Sequence, residues 1–189
     1  MKISKIKLAI IAAVALFYSC NTGQIKLRKD NFSNQDILTM KLVHFPDTIF
    51  GAGQMEAIYL RDIDGKEDKP MYAQIQLKAS VRYNFPNDDM QVKINGRIYN
   101  VKTSNVSGEI VTHIDANGSI SQEKLFHATL HFTKEIEDAL NHTDSIAYKF
   151  NLGADKPVIY TVKEDLVKKI QAFLAAKPTD QGIEEEKFF

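Results

Sequence analysis

QIQLKASVRYNF, residues 74–85, alternates between polar and apolar side chains without interruption, and this stretch decides the fold class. The alternation predicts one strand with a buried face and a solvent-exposed face, as in antiparallel sheets and unlike parallel doubly wound sheets. We therefore predict a mainly β fold of the α+β class, built as an antiparallel β-sandwich or as a rolled antiparallel sheet. The apolar face of the strand comprises Ile75, Leu77, Ala79, Val81, Tyr83 and Phe85.

Two Asn-Gly pairs predict tight turns between neighbouring strands. Asn95-Gly96 divides residues 90–101, and Asn117-Gly118 separates residues 109–114 from the segment that begins at Ile120. The favoured two-residue hairpin loop needs a positive φ at both positions, which Asn and Gly adopt readily. Short strand patterns that recur about ten residues apart are typical of a sandwich or a rolled sheet.

Two segments have the pattern of helices. Thr133 is a suitable N-cap for a short helix over residues 134–141. A C-terminal amphipathic helix follows, in which Thr161 and Glu164 have the spacing of a capping box and Pro178 ends the segment. The apolar stripe of this second helix comprises Val162, Leu166, Ile170, Phe173 and Leu174.

Length and charge restrict the class of partner. The chain has 189 residues, with 24 basic and 24 acidic side chains. Residues 1–19 contain three lysines and no acidic residue, so the chain without them has a formal net charge of −3. A mildly acidic protein lacks the basic surface that nucleic acids require, and we predict no nucleic-acid partner. A chain of this length is expected to form one domain.

The N-terminal segment MKISKIKLAIIAAVALFYSC, residues 1–20, contains the only cysteine of the chain, Cys20. Three lysines precede an uncharged apolar run over residues 8–17, which is far shorter than the ~20 residues of a membrane-spanning helix. This segment resembles the signal peptide and a relaxed lipobox of bacterial lipoproteins. The residues in the box are Phe17, Tyr18, Ser19 and Cys20.

The resemblance implies that residues 1–19 are a lipoprotein signal peptide and that Cys20 is lipidated. It implies a protein of the bacterial cell envelope, attached to the membrane through the acyl chains on Cys20. Asn21 stands where many lipoproteins of the inner membrane have aspartate, so the resemblance implies the outer membrane. The alternatives are a plain signal peptide with an incidental cysteine, or an uncleaved amphiphilic anchor.

The remaining chain divides into three parts by composition. Residues 20–35 are polar and without period, and they predict a lipidated cysteine followed by a flexible tether, or alternatively an ordered first strand at residues 25–27. Residues 36–176 contain the strand and helix patterns and are expected to form a single β-rich domain. Residues 177–189 are mostly acidic and predict a disordered tail.

Common catalytic motifs are missing from the sequence. It contains neither a Gly-rich phosphate loop nor a Gly-x-Ser-x-Gly elbow, and the sole cysteine, Cys20, is assigned to the anchor. We therefore predict no catalytic residues, no cofactor and no enzymatic activity.

Two groups of residues contain side chains that metals prefer as ligands. His127 and His131 would be neighbours on a helix, but the alternation around them predicts a strand, in which they lie ~13 Å apart. Either histidine could still share an ion with a ligand on a neighbouring strand. An acidic run resembles a calcium loop but lacks the residue order of an EF-hand, which favours a hairpin turn. The acidic side chains of this run are Asp62, Asp64, Glu67 and Asp68.

We expect a non-catalytic module that binds a protein partner or has a structural role, attached to the membrane through Cys20. The alternative is a periplasmic carrier of a lipid or small apolar ligand, because a curved sheet covered by a helix can enclose an apolar cavity.

Overall fold

The structure is a computed structural model that describes residues 22–30, 35–47, 52–63, 69–84, 90–152 and 157–187. In these residues the chain forms the following elements in order: β1 (Ile25–Asp30), β2 (Gln35–His44), β3 (Ala52–Ile63), β4 (Tyr72–Ser80), β5 (Met90–Ile94), β6 (Arg97–Ile114), β7 (Ile120–His131), α1 (Lys134–Asn141), β8 (Ile146–Phe150), β9 (Val158–Thr161), α2 (Glu164–Ala175) and β10 (Glu184–Lys187). The prediction of a mainly β fold with two helices is confirmed.

The ten strands of the described residues belong to one sheet, in the order β10-β1-β2-β3-β4-β7-β6-β5-β8-β9. Neighbouring strands are antiparallel except β1 and β10, which are parallel, so the sheet is mixed. The sheet curls without closing into a barrel. The hydroxyls of Tyr59 on β3 and Tyr148 on β8 share a hydrogen bond of 2.8 Å, and Tyr160 on β9 donates to the carbonyl of Gly53 at 2.9 Å. Strands β8 and β9 therefore pack across β3.

Strand β4 has the buried face that its alternation predicts. Ile75, Leu77 and Ala79 are all buried, and the polar residues between them lie on the opposite face. The strand ends at Ser80, earlier than predicted, because the amide of Tyr83 donates to the carbonyl of Ser80 at 3.0 Å and closes a turn. Val81 follows the strand and is 39% exposed.

The turn at Asn95-Gly96 has the predicted conformation, with φ of 45° at Asn95 and 84° at Gly96. The Asn95 side chain also accepts hydrogen bonds from the hydroxyl of Thr143 at 2.6 Å and the amide of Asp144 at 3.2 Å. This one residue therefore shapes a hairpin and joins it to the loop after α1.

The second hairpin joins β6 to β7, but its turn differs from the predicted two-residue loop. Only Gly118 takes a positive φ, of 80°, and the amide of Asp115 donates to the carbonyl of Ser119 at 3.0 Å. The carboxylate of Asp115 accepts from the amides of Asn117 and Ser119, each at 2.8 Å. A longer turn forms because the aspartate supplies the acceptor that closes it.

Helix α1 begins as predicted, because the Thr133 hydroxyl accepts from the amide of Ile136 at 3.3 Å. The predicted capping box of α2 is wrong: the helix begins after Lys163, and no side chain caps it. Thr161 is the last residue of β9, where its hydroxyl and amide donate to the Asp47 carboxylate at 2.6 and 2.8 Å. A tertiary partner therefore takes the hydroxyl that would cap the helix.

Helix α2 is fixed to the sheet at its C-terminal end. The ring of Phe173 lies 6.4 Å from that of Tyr59, measured between centroids. The guanidinium of Arg61 on β3 lies 5.9 Å from the Phe173 ring and donates to the carbonyls of Leu174 and Ala176. A cation placed there satisfies carbonyls left free at the helix end and complements the helix dipole.

The flexible tether predicted for residues 20–35 is corrected by strand β1. Its residues pair with β2 from Ile25 opposite Met40 to Asp30 opposite Gln35, and Leu27 is 4% exposed. The alternative of an ordered first strand therefore describes the chain better, because alternate apolar side chains reach the core although the segment is polar overall.

The disordered tail predicted for residues 177–189 is likewise corrected by strand β10. It pairs in parallel with β1, and Lys29 forms an ion pair with Glu185 at 2.9 Å. The backbone of β1 offers hydrogen bonds whatever the side chains of the added strand, so an acidic sequence can still form a strand there. The domain thus extends on both sides beyond the predicted residues 36–176.

Candidate interaction surface

The hairpin of β6 and β7 extends past its neighbour in the sheet. Strand β4 pairs with β7 only as far as Ser80 opposite Glu123, whereas β6 and β7 pair on to Ile114 opposite Ile120. We call residues 107–124 the arm. Its outer half is therefore a two-stranded structure attached to the edge of a larger sheet.

A β-bulge in β6 sets which side chains the arm presents. Ser104 lies opposite Thr129 and Ser107 opposite His127, so β6 has one extra residue between these pairs. Asn105 lies within the bulge with φ of 52°. Because strand side chains alternate, one extra residue moves every following side chain of β6 to the other face.

The shift places isoleucines on the face that is continuous with the core, which we call the inner face. Gly108 lies opposite the buried Phe126, so Ile110 and Ile114 share that face with Ile120. These isoleucines are 58%, 70% and 69% exposed, respectively. A single exposed isoleucine is ordinary, but three on one face of a projecting hairpin form an apolar surface of the kind that marks interaction sites.

The arm also has an open edge. Residues 97–101 of β6 pair with β5, whereas residues 102–104 and 107–114 pair with β7 alone. No other strand in the described part of the chain pairs with residues 102–114. We call this side of β6 the open edge; a free strand edge presents backbone N–H and C=O groups that can pair with another chain.

The two outermost strands of the sheet, by contrast, have protected edges. The amide of Asp47 donates to the carbonyl of Ile159 on β9 at 2.9 Å, and the Asp47 carboxylate binds Thr161. Strand β10 is four residues long and mostly acidic. Short strands, charges and covering segments are the usual protection against edge pairing. Residues 107–114 of the open edge contain neither lysine nor proline.

The outer face of the arm carries a group of charged side chains that pair with one another. Glu123 lies 3.0 Å from His113 and 3.4 Å from the ammonium of Lys78. The hydrogen bond from His113, and next the charge of Lys78, hold the pKa of Glu123 below its usual value. The inner face also holds Thr112, Gln122 and Lys124, so the two faces of the arm differ chiefly in the three exposed isoleucines, all of which lie on the inner face.

A buried polar cluster lies between the sheet layers. His44 is 1% exposed, and its Nε2 lies 3.3 Å from the Tyr59 hydroxyl, which also bonds Tyr148. Burial lowers the pKa of His44 to about 4, raises that of Tyr148 to about 12 and raises that of Tyr59 well above its usual value. All three groups are neutral near pH 7, so the cluster is suited to packing rather than to proton transfer. Sequence reasoning missed it, although Met40, Leu42 and His44 alternate on one face of β2.

The two candidate histidine ligands lie in strand β7, as predicted. His131 Nε2 lies 2.6 Å from the Ser104 hydroxyl, and its ring stacks on Tyr72 with 6.4 Å between centroids. His127 lies opposite Gln76. Across the described ranges, no three His, Cys, Asp or Glu side chains are grouped closely enough to hold a metal ion.

A surface cleft of about 450 Å³ lies beside His131 and is lined in part by Asp62 and Tyr72. Tyr72 donates to the Asp62 carboxylate at 3.2 Å, and burial, followed by the charge of Asp62, raises the pKa of Tyr72 to about 12. Because Asp62 bonds the tyrosine rather than the imidazole, it does not complete a catalytic set with Ser104 and His131.

The other acidic residues of the candidate calcium loop, Asp64, Glu67 and Asp68, lie outside the described residues.

The segment that carries the lipoprotein resemblance, including Cys20, also lies outside the described residues. No helix found among the described residues has the length and apolar character needed to cross a membrane. Comparison of the chain with protein-family models, with curated proteins and with solved structures yields no match.

Proposed function

We propose that the protein is a lipid-anchored envelope protein whose β domain is a non-catalytic binding module, and that it binds a partner polypeptide by strand addition at the open edge of β6. The observation that carries this proposal is the contrast between edges. The β9 edge is covered and β10 is short and acidic, whereas residues 107–114 have neither protection.

Strand addition uses both features of the arm. An extended partner segment would pair its backbone with residues 102–114, which supplies affinity without regard to sequence. Its alternate side chains would lie on the inner face beside Ile110 and Ile114, whose exposed surface is apolar. The partner segment is therefore expected to have apolar residues at every second position.

The proposed anchor rests on the resemblance of the N-terminal segment to lipoproteins. The fold then determines how far the domain can lie from that anchor. The Lys169 ammonium donates to the carbonyl of Thr22 at 3.0 Å, and the amide of Gly23 donates to the carbonyl of Lys41 at 2.8 Å. Between a lipidated Cys20 and the first of these contacts lie only two peptide units, or ~7 Å. The binding module would then be held at the membrane surface.

A carrier of apolar ligands would require a cavity between the layers of the sheet. Side chains meet across that space: the Tyr59 hydroxyl bonds the Tyr148 hydroxyl, and the Tyr160 hydroxyl donates to the carbonyl of Gly53. These contacts favour a filled core, and we do not propose the carrier function.

Replacing Cys20 with alanine tests the anchor. In bacteria supplied with an alkyne-labelled fatty acid, the wild-type chain is expected in the membrane fraction with the label, because its acyl chains are buried in the bilayer. The Cys20→Ala variant is expected to lose the label. Equal labelling of the two proteins would contradict lipidation at Cys20.

A photoreactive amino acid at the open edge tests the binding surface in living cells. We expect a discrete protein adduct from Ile110 or Thr112, and several-fold less from matched positions at the protected edges, Ile159 and Glu185. Adding an inward-facing charge with Ile110→Lys should abolish the adduct formed from Thr112, since charged side chains disfavour edge pairing. The exposed position of Ile110 allows this change without loss of folding. A uniform yield at all sites, or none at the edge, would refute the assignment.

A further inference from the structure

We infer that the strand added at the open edge of β6 is the same edge of a second copy of this chain, so that two arms pair antiparallel about a two-fold axis. This inference rests on the proposed binding surface and specifies its occupant. In such a dimer the axis stands perpendicular to the sheet, so the inner faces of both arms lie on one side.

Steric complementarity favours one register of this pairing, centred on Val111. Ile114 of one copy then lies opposite Gly108 of the other, on the inner face. Gly108 has no side chain, and its cross-strand neighbour within the chain is the buried Phe126. The isoleucine of the second copy would cover the backbone at the glycine and contact the aromatic ring beside it, as large side chains do beside strand glycines.

Charge complementarity favours the same register. Residues 107–114 contain only two ionisable side chains, Glu109 and His113. With Val111 opposite its own copy, Glu109 of each chain lies opposite His113 of the other, and no like charges face each other. Directly opposed side chains on antiparallel strands are close enough for such pairs to stabilise the contact.

The assembly also closes at two copies. Pairing uses the open edge of each chain. Among the described strands, the edges that remain are the covered edge of β9, the short acidic edge of β10 and residues 120–122 of β7, which is too short a segment to extend the sheet. An isologous contact uses the same patch on both partners and leaves no free patch for growth. A second copy therefore covers the open edge of β6, and the pairing stops at a dimer instead of continuing into a fibre.

Single cysteines in the full-length chain test the dimer in native membranes. The only natural cysteine is Cys20, the proposed lipidation site. Because lipidation occupies its thiol, few chains would have a second thiol that competes with the introduced cysteine. Under mild oxidation, Val111→Cys is expected to give a disulfide-linked species of twice the chain mass, because opposed antiparallel residues have a Cα separation suited to a disulfide. Coexpressed, differently tagged Glu109→Cys and His113→Cys chains should link to each other more efficiently than either links to itself.

Ser121→Cys is the matched control, since it lies on the same arm but on β7, away from the open edge. Equal dimer yield from Ser121→Cys and Val111→Cys would indicate random collision and overturn the inference. If the edge positions link to a protein of another mass, the second copy is wrong while strand addition at this edge stands. If neither disulfides nor photoadducts form at the edge, both the dimer and the proposed binding function fail.

Discussion

The free energy of unfolding is expected to fall by about 2 kcal/mol between about pH 7.5 and about pH 5 because of the buried residue His44 alone. Its imidazole is 1% exposed, and its Nδ1 has no hydrogen-bond partner among the described residues. Burial lowers the pKa of His44 from 6.5 to about 4. An isolated charge in this position would lose its hydration without gaining an opposite charge.

The direction follows from proton binding in the two states. Below about pH 6.5 the unfolded chain protonates His44, whereas the folded chain keeps the imidazole neutral down to about pH 4. The unfolded state therefore binds more protons in this window, and stability is lost as the pH falls. The loss is about 3 kcal/mol when the pH reaches the folded-state pKa, and it levels off below that pH.

Urea unfolding followed by circular dichroism at several pH values measures this effect. The His44→Phe variant keeps an aromatic ring at the site and cannot protonate, so its stability is expected to change little over the same window. The His127→Gln variant removes a histidine from the outer face and should keep the wild-type pH dependence. A steep loss of stability in His44→Phe would assign the effect to other groups.

Replacing Glu137 with alanine is expected to cost about 2–3 kcal/mol, the cost of leaving a buried donor without its charged acceptor. Glu137 is 6% exposed, and its carboxylate accepts from the amide of Met71 at 2.5 Å while pairing with Lys134 at 3.2 Å. Met71 is itself 1% exposed, so water cannot replace the lost acceptor without entering the core. The Glu137→Gln variant keeps a neutral acceptor and should lose only about 1 kcal/mol.

Glu135→Ala is the control for this change. Glu135 lies in the same first turn of α1 and makes an exposed ion pair with Arg97 at 2.7 Å, so its loss removes the same interaction with the helix dipole. We expect it to cost less than about 1 kcal/mol, as exposed ion pairs generally do. Equal losses for the two alanine variants in chemical unfolding would show that the Met71 contact contributes nothing.

Local features of the fold could be predicted from the sequence. The alternation in β4, the turn at Asn95-Gly96 and the cap at Thr133 were each identified from a few adjacent residues. In each case the deciding interaction lies within the element or its immediate turn. Long-range partners reinforce such features, as the hydrogen bond from Thr143 reinforces the turn at Asn95. The features can be predicted without these partners.

Features that depend on distant partners could not be predicted. The bulge at Asn105 exists only relative to β7, and without it the alternation of β6 would assign Val111 and His113 to the inner face. The strand β10 requires the edge of β1, far away in sequence. For His44, the alternation of β2 could have indicated burial, but its tyrosine partners become neighbours only when β8 packs across β3.

The position of β1 has a mechanical consequence for a membrane-attached protein. In the proposed anchored state, a pull from the bilayer enters the domain through Thr22, and its component along the axis of β1 loads the pairing of that strand. Six residue pairs join β1 to β2 and four join it to β10, with backbone hydrogen bonds that run across this axis. Such a load shears all of these bonds together instead of opening them one by one. Strand β10 thus shares the tension at the attachment point and should delay extraction of β1 under force.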